Sequence, residues 1–270
     1  MSYLNLRNGI HLYYEEIGTG DPVILMHGWT SNHTIYLRPA KKLQHKARFI
    51  LYDHRGHYQS KEANREPVSM DTLADDLHAL IQHLSLSNVT LLGWSMGAGV
   101  AMNYIRRYGC DALRQVVLCD MTPKQINDES WHLGLYQGHY TMADHQASIG
   151  KDFLSLYRSF AVGAKPICAK MPTFILNHVL KKRLMLCDES VLRTLSASMK
   201  EQDLRDVIGT ITVPLTYFYA VPGSLFSPEL AAWYRKHCHA PFQAVAFHNS
   251  THLFISEHPD QFADQLERLL

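Results

Sequence analysis

Long apolar runs are missing from this 270-residue chain. No stretch approaches the 18 or so consecutive apolar residues that a membrane-spanning helix needs, so no such helix is expected. Charge of one sign is also missing, since 26 Lys and Arg face 25 Asp and Glu for a net charge of +1, which gives no reason to expect nucleic acid or an anionic membrane as partner. The five cysteines, Cys110, Cys119, Cys168, Cys187 and Cys238, are odd in number and lack the paired spacing of zinc or redox motifs. They read as reduced, mostly buried thiols. No glycine-rich phosphate loop is present, so the expectation is no metal, nucleotide, flavin or other cofactor. The N-terminal residues lack a basic region followed by an apolar run, which makes the cytoplasm the expected location.

What is present is ordinary for a folded globular chain: 46% hydrophobic and 19% charged residues, enough to bury one main core. A small neutral or weakly charged substrate fits this balance; the oligomeric state is not legible. Histidine is abundant, with 17 in the chain. The run His237-Cys238-His239 has no further ligands at zinc-site spacing and reads as the end of an exposed helix.

From residue 10 to residue 121, short β-rich runs alternate with amphipathic helical stretches, the pattern of a mostly parallel sheet with helices on both faces. Strands are expected at 11–16, 23–26, 48–52, 88–92 and 114–119. Helices are expected at 70–84, capped near Ser69 or Asp71, and at 97–108, closed by Gly109. After Pro123 strand character disappears. Residues 122–204 read as a helical cap, with helices near 152–160 and 189–204 and breaks at Pro166 and Pro172. Strands return at 213–219 and 243–247, and a last helix at 259–270, so residues 1–121 and 205–270 form the α/β core.

The run Gly93-Trp94-Ser95-Met96-Gly97 follows an apolar strand and precedes a helix. Gly-x-Ser-x-Gly in that context is a nucleophile elbow, a sharp turn whose glycines clear the close backbone around the serine. Ser95 is the predicted nucleophile. The turn puts the N–H of Met96 at a helix N-terminus, where it suits an anionic intermediate.

These residues resemble the α/β-hydrolase superfamily, and the resemblance covers nearly the whole chain. His27-Gly28-Trp29, directly after a strand, looks like that family's oxyanion loop, which implies that the Trp29 N–H is the second donor beside Met96. His27 is then a structural support of the loop. Asp53-His54-Arg55-Gly56-His57-Tyr58-Gln59-Ser60 is similar to the family's Asp-x-Arg-Gly-x-Gly-x-Ser turn, with Tyr58 in place of the second glycine. Asp53 and Arg55 are expected to hold loops and Ser60 to begin a helix. His252, before the final helix, stands where the family places its catalytic histidine, and the order serine, acid, histidine along the chain agrees.

The family supplies its acid after the strand read here at 215–219, yet Ser224 occupies that position. The only carboxylate between Val207 and His252 is Glu229, explained by the start of a helix. Asp120, at the end of the strand after the nucleophile strand, is the candidate acid, as the resemblance implies for an esterase and haloperoxidase-like branch. The implied function is hydrolysis of a small-to-medium carboxylic ester or lactone through an acyl-enzyme. A cofactor-free haloperoxidase, perhydrolase or dioxygenase, and a non-catalytic ligand receptor, are the alternatives. The pocket is expected to draw on Trp29, Trp94 and some of the cap residues Trp131, Leu135, Tyr136, Tyr140, Phe153, Leu156, Tyr157, Phe160 and Phe174.

Overall fold

The computed structural model describes residues 2–6, 9–61, 67–223 and 225–270. An eight-stranded sheet runs through the molecule in the order β1-β2-β4-β3-β5-β6-β7-β8. The strands are β1 (Ser2–Asn5), β2 (His11–Ile17), β3 (Pro22–Met26), β4 (Arg48–Tyr52), β5 (Val89–Trp94), β6 (Leu113–Cys119), β7 (Leu215–Pro222) and β8 (Phe242–Ser250). Pairing is antiparallel for β1 with β2 and β2 with β4, and parallel from β4 across to β8. The first strand escapes the sequence reading because it is four residues long at a sheet edge and buries only Leu4. The other strands fall where the alternating apolar runs put them.

Helices cover both faces. On one side lie α1 (Leu37–Leu43), α11 (Phe254–Glu257) and α12 (Pro259–Glu267), sealing a core that includes Phe49, Phe218, Phe247 and Phe262. On the other lie α2 (Met70–His83), α3 (Met96–Tyr108), α9 (Val207–Thr210) and α10 (Leu230–His237). Helix α2 is capped by Ser69, whose hydroxyl accepts the Thr72 N–H at 3.2 Å, while Asp71 instead pairs with Arg106 across the α2–α3 contact. In α3 every residue from Met96 to Ile105 is buried, as expected for a helix held between the sheet and α2.

Between β6 and β7 the chain adds no strand to the sheet among the described residues. It forms the single turn α4 (Leu135–Gly138), then α5 (Met142–Ser148), α6 (Phe153–Ala164), α7 (Thr173–Leu184) and α8 (Glu189–Glu201). Pro166 opens a 3-10 turn and Pro172 caps α7, so both prolines interrupt helices as expected. No helix among the described residues is long and apolar enough to cross a membrane.

Strand order reverses at β3, with β4 on one side and β5 on the other. Such a switch point splays the loops beyond the carboxyl ends of the strands and opens a crevice there. The register fixes what enters it. Met26 pairs with Gly93, so the loop after β3 lies beside the elbow after β5. Trp94 pairs with Cys119, so Ser95 and Asp120 follow adjacent strand ends.

Candidate active site

Ser95 has φ 55° and ψ −121°, a strained backbone for any residue with a side chain. A Cβ on Gly93 would lie 2.2 Å from the Gly97 carbonyl oxygen, and one on Gly97 2.3 Å from that of Met26. Only glycine fits at either end of the turn. The Ser95 carbonyl accepts from Ala98 at 2.9 Å, and its N–H donates to Cys119 at 2.9 Å, tying elbow to helix and to β6. Met96 is the first residue of α3, where an N–H has no carbonyl one turn back to bond within the helix.

The His252 imidazole stands between the serine and an aspartate. Its Nε2 is 2.9 Å from Ser95 Oγ and its Nδ1 is 2.7 Å from Asp120 Oδ2, with all three residues buried. The three sequence candidates are thus brought together. Ser224 lies outside the described residues. Glu229 sits at the N-cap of α10, and the histidine nitrogen that would need it is already held by Asp120.

The loop bearing His252 is fixed by contacts that the sequence does not foretell. Trp94 Nε1 donates to the His252 carbonyl at 2.9 Å. Both oxygens of Glu257 accept from Thr251, from its N–H and its hydroxyl, at 2.9 Å each. Lys165 at the end of α6 then pairs with Glu257 at 3.1 Å, linking this loop to the helical segment above it. A carboxylate six positions after Thr251 is a faint signal at best.

The loop after β3 is clamped from both sides. Trp29 Nε1 donates to the Leu192 carbonyl of α8 at 3.1 Å, and the Trp29 ring meets Phe153, Tyr157 and Phe160 edge-on. Thr30 donates its N–H to His57 Nε2 at 3.3 Å and its hydroxyl to Tyr157 at 3.0 Å. Beneath the loop His27, His54 and His57 cluster, all buried. His27 Nδ1 donates to the Gly28 carbonyl at 2.8 Å and its Nε2 accepts the His54 N–H at 3.0 Å. His57 Nδ1 likewise donates to the Arg55 carbonyl, at 3.1 Å. Since a proton on either accepting nitrogen would face an N–H, both rings are held neutral. Burial lowers His27 far below the usual range, His54 to about 3 and His57 to about 4. Three imidazoles form a donor set a metal could use, but His27 and His57 have both nitrogens engaged with backbone. His27 therefore supports the loop, as its position implied.

The 53–60 turn follows its expected role with one correction. Asp53 accepts from the His33 N–H at 2.8 Å and the Gln59 N–H at 3.2 Å, and Arg55 forks onto Asp76 of α2. Ser60 does not begin a helix. It closes the 3-10 turn Tyr58–Ser60, and its hydroxyl accepts the Tyr13 N–H at 2.9 Å. A helix there would deny Tyr13 this partner. Tyr58 keeps φ at 41°, so the position that the related turn gives to glycine retains a left-handed backbone although the side chain is large.

Ser95 lines two neighbouring spaces. The larger, about 580 Å³, lies toward α6 and α7 and is lined by Trp94, Tyr157, Leu176, Val179 and Leu180. The smaller, about 360 Å³, lies toward α5 and α8 and is lined by Leu135, Tyr136, Tyr140, Phe153, Leu156 and Phe226. Trp29, Ser95 and Phe160 belong to both. Of the expected aromatic lining, two residues drop out. Trp131 is buried against Trp233 with its Nε1 on the Lys124 carbonyl, and Phe174 points to solvent at 75% exposure.

With this geometry in view, likenesses to known proteins gain meaning. Residues 21–140 match the sequence model of the alpha/beta hydrolase fold family. A pimeloyl-[acyl-carrier protein] methyl ester esterase of Vibrio cholerae is 27% identical over 263 residues, covering 94% of this chain and 96% of that protein. The non-heme chloroperoxidase CPO-A1 of Kitasatospora aureofaciens is 36% identical over 124 residues, which span 46% of this chain and 45% of that relative. In three dimensions an esterase of Exiguobacterium antarcticum superposes with a TM-score of 0.84 at 24% identity, over 99% of this chain and 98% of that one. The chain has the α/β-hydrolase fold, and the proteins it is similar to include esterases and haloperoxidases.

Proposed function

We propose that the protein is a serine hydrolase that cleaves a small-to-medium carboxylic ester or lactone. The observation that carries this reading is the chain of contacts from Ser95 Oγ through His252 to Asp120. His252 removes the serine proton as Ser95 attacks the carbonyl carbon, and Asp120 holds the ring with Nδ1 protonated and balances the imidazolium that forms. The N–H groups of Trp29 and Met96 receive the developing oxyanion, a contribution of about 3–4 kcal/mol per donor in comparable sites. Imidazolium then protonates the departing alcohol, and water activated by the same histidine cleaves the acyl-enzyme. Residues 122–204 act as the cap that walls the cavity, on a core formed by residues 1–121 and 205–270.

The likeness to a chloroperoxidase supports a second reading, in which the same groups deliver the acyl group to hydrogen peroxide instead of water. Two measurements test the first. A fluorophosphonate probe is expected to label the parent and not Ser95→Ala, and the parent is expected to hydrolyse short-to-medium p-nitrophenyl esters that Ser95→Ala leaves intact. Peracid formation from acetate and peroxide at a rate exceeding ester hydrolysis would favour the second; an unlabelled, inactive parent would reject both.

A further inference from the structure

The smaller space beside Ser95 contains a cation with no anionic partner among the described residues. Lys200, in the last turn of α8, lines it and is partly buried. Its Nζ donates to Ser196 Oγ at 3.0 Å and lies 5.6 Å from the centre of the Tyr140 ring. Neither neighbour balances the charge, and among the described residues no carboxylate forms an ion pair with it. Asp144 is the carboxylate on this wall, and its Oδ2 already accepts from the Thr141 N–H and hydroxyl at 2.9 and 2.7 Å. Burial alone draws Lys200 below the usual lysine range, the direction expected of a cation lacking a counter-charge.

A charge taken partly out of water is normally paired within the protein, and one left unpaired in a cleft that also holds a nucleophile marks a place for a ligand's charge. The hydroxyl of Ser196, which accepts from Lys200, lies on the same wall and can donate its own proton to an anion, whereas that of Ser148 already donates to the His145 carbonyl at 2.6 Å. Much of the rest is apolar, from Leu135, Phe153, Phe160 and Met199. We propose that this space binds a carboxylate borne by the substrate, with Lys200 as its counter-charge and a short apolar spacer separating that carboxylate from the scissile carbonyl. The inference rests on Ser95 being the nucleophile.

The test compares matched substrates with and without the charge: p-nitrophenyl hydrogen adipate against p-nitrophenyl hexanoate, and 6-acetoxyhexanoate against hexyl acetate. The first pair carries the carboxylate on the acyl side and the second on the alcohol side. In the parent, the anionic member of at least one pair is expected to have the lower KM. In Lys200→Met the anionic-to-neutral ratio of kcat/KM for that pair is expected to fall roughly tenfold, the scale of a charge-assisted hydrogen bond, and Lys200→Arg is expected to retain most of the preference. Equal ratios in both pairs, or a Lys200→Met variant whose ratio matches the parent's, would overturn the proposal while leaving the serine mechanism intact. A parent that cleaves none of the four and resists the fluorophosphonate would instead remove the mechanism on which it rests.

Discussion

Asp120 stands one residue past the end of β6, at φ 45°, with its N–H anchored on the Phe218 carbonyl at 2.8 Å. That anchor fixes the carboxylate against His252 through two adjacent strands, without help from the loop after β7. In serine proteases, converting the equivalent acid to its amide leaves geometry largely intact but favours the wrong imidazole tautomer, and turnover falls by about 10⁴-fold. Asp120→Asn is therefore expected to lower kcat on p-nitrophenyl butyrate by roughly 10³–10⁴-fold with an unchanged circular dichroism spectrum. Glu229→Gln should keep near-parent turnover. The reverse pattern would move the acid to the later loop. Ser95 and His252 are legible in the sequence because a motif and the chain order name them. Asp120 is legible by the absence of a competitor. Glu257 and Lys200 are not, and of Trp94 only the place in the pocket lining is legible and not its bond to the His252 carbonyl, since these depend on contacts with segments far away in the chain.

At the scale of elements, the buried histidines under the oxyanion loop couple that loop to pH. His54 and His57 ionise at about 3 and about 4 when folded, against an ordinary 6.5, and His27 is also lowered. As pH falls below 6.5 the unfolded chain takes up these protons and the folded one does not. Stability from this source is complete above about pH 6.5 and is lost as pH falls toward 4 and then 3, at up to about 1.4 kcal/mol per pH unit for each ring. Urea unfolding between pH 6.5 and 5, above the range where carboxylates titrate, is expected to show this slope. His57→Asn should reduce it by one ring's share. A flat profile would mean that the cluster takes up protons in the folded state. The strands and helices around these loops were readable because period and capping act locally, as at Ser69. Within the loops the supporting roles of His27, Asp53 and Arg55 are legible from the resemblance, but the backbone at Ser60 is not, because its conformation answers to a partner on β2.

Over the whole molecule, a net charge of +1 suggests an indifferent surface, and the average conceals a lysine in the cavity wall that has no ion pair among the described residues. The helical segment is legible from its lack of strands, yet which of its aromatics line the cavity depends on how it docks. Phe153, Tyr157 and Phe160 face Trp29 while Phe174 faces water. That docking also divides the space at Ser95 in two, with Trp29 and Phe160 common to both halves. On the proposed ester reading, the acyl and alcohol portions would take different halves. On that reading the alcohol would depart and free its half while the acyl group stayed attached to Ser95, and whatever entered next would decide the product. Water has no monopoly on that vacancy. Parallel double-reciprocal plots with ester and added ethanol, and ethyl ester accumulating beside free acid, are the expected signs. Free acid as sole product at high ethanol would mean that the emptied half excludes anything larger than water.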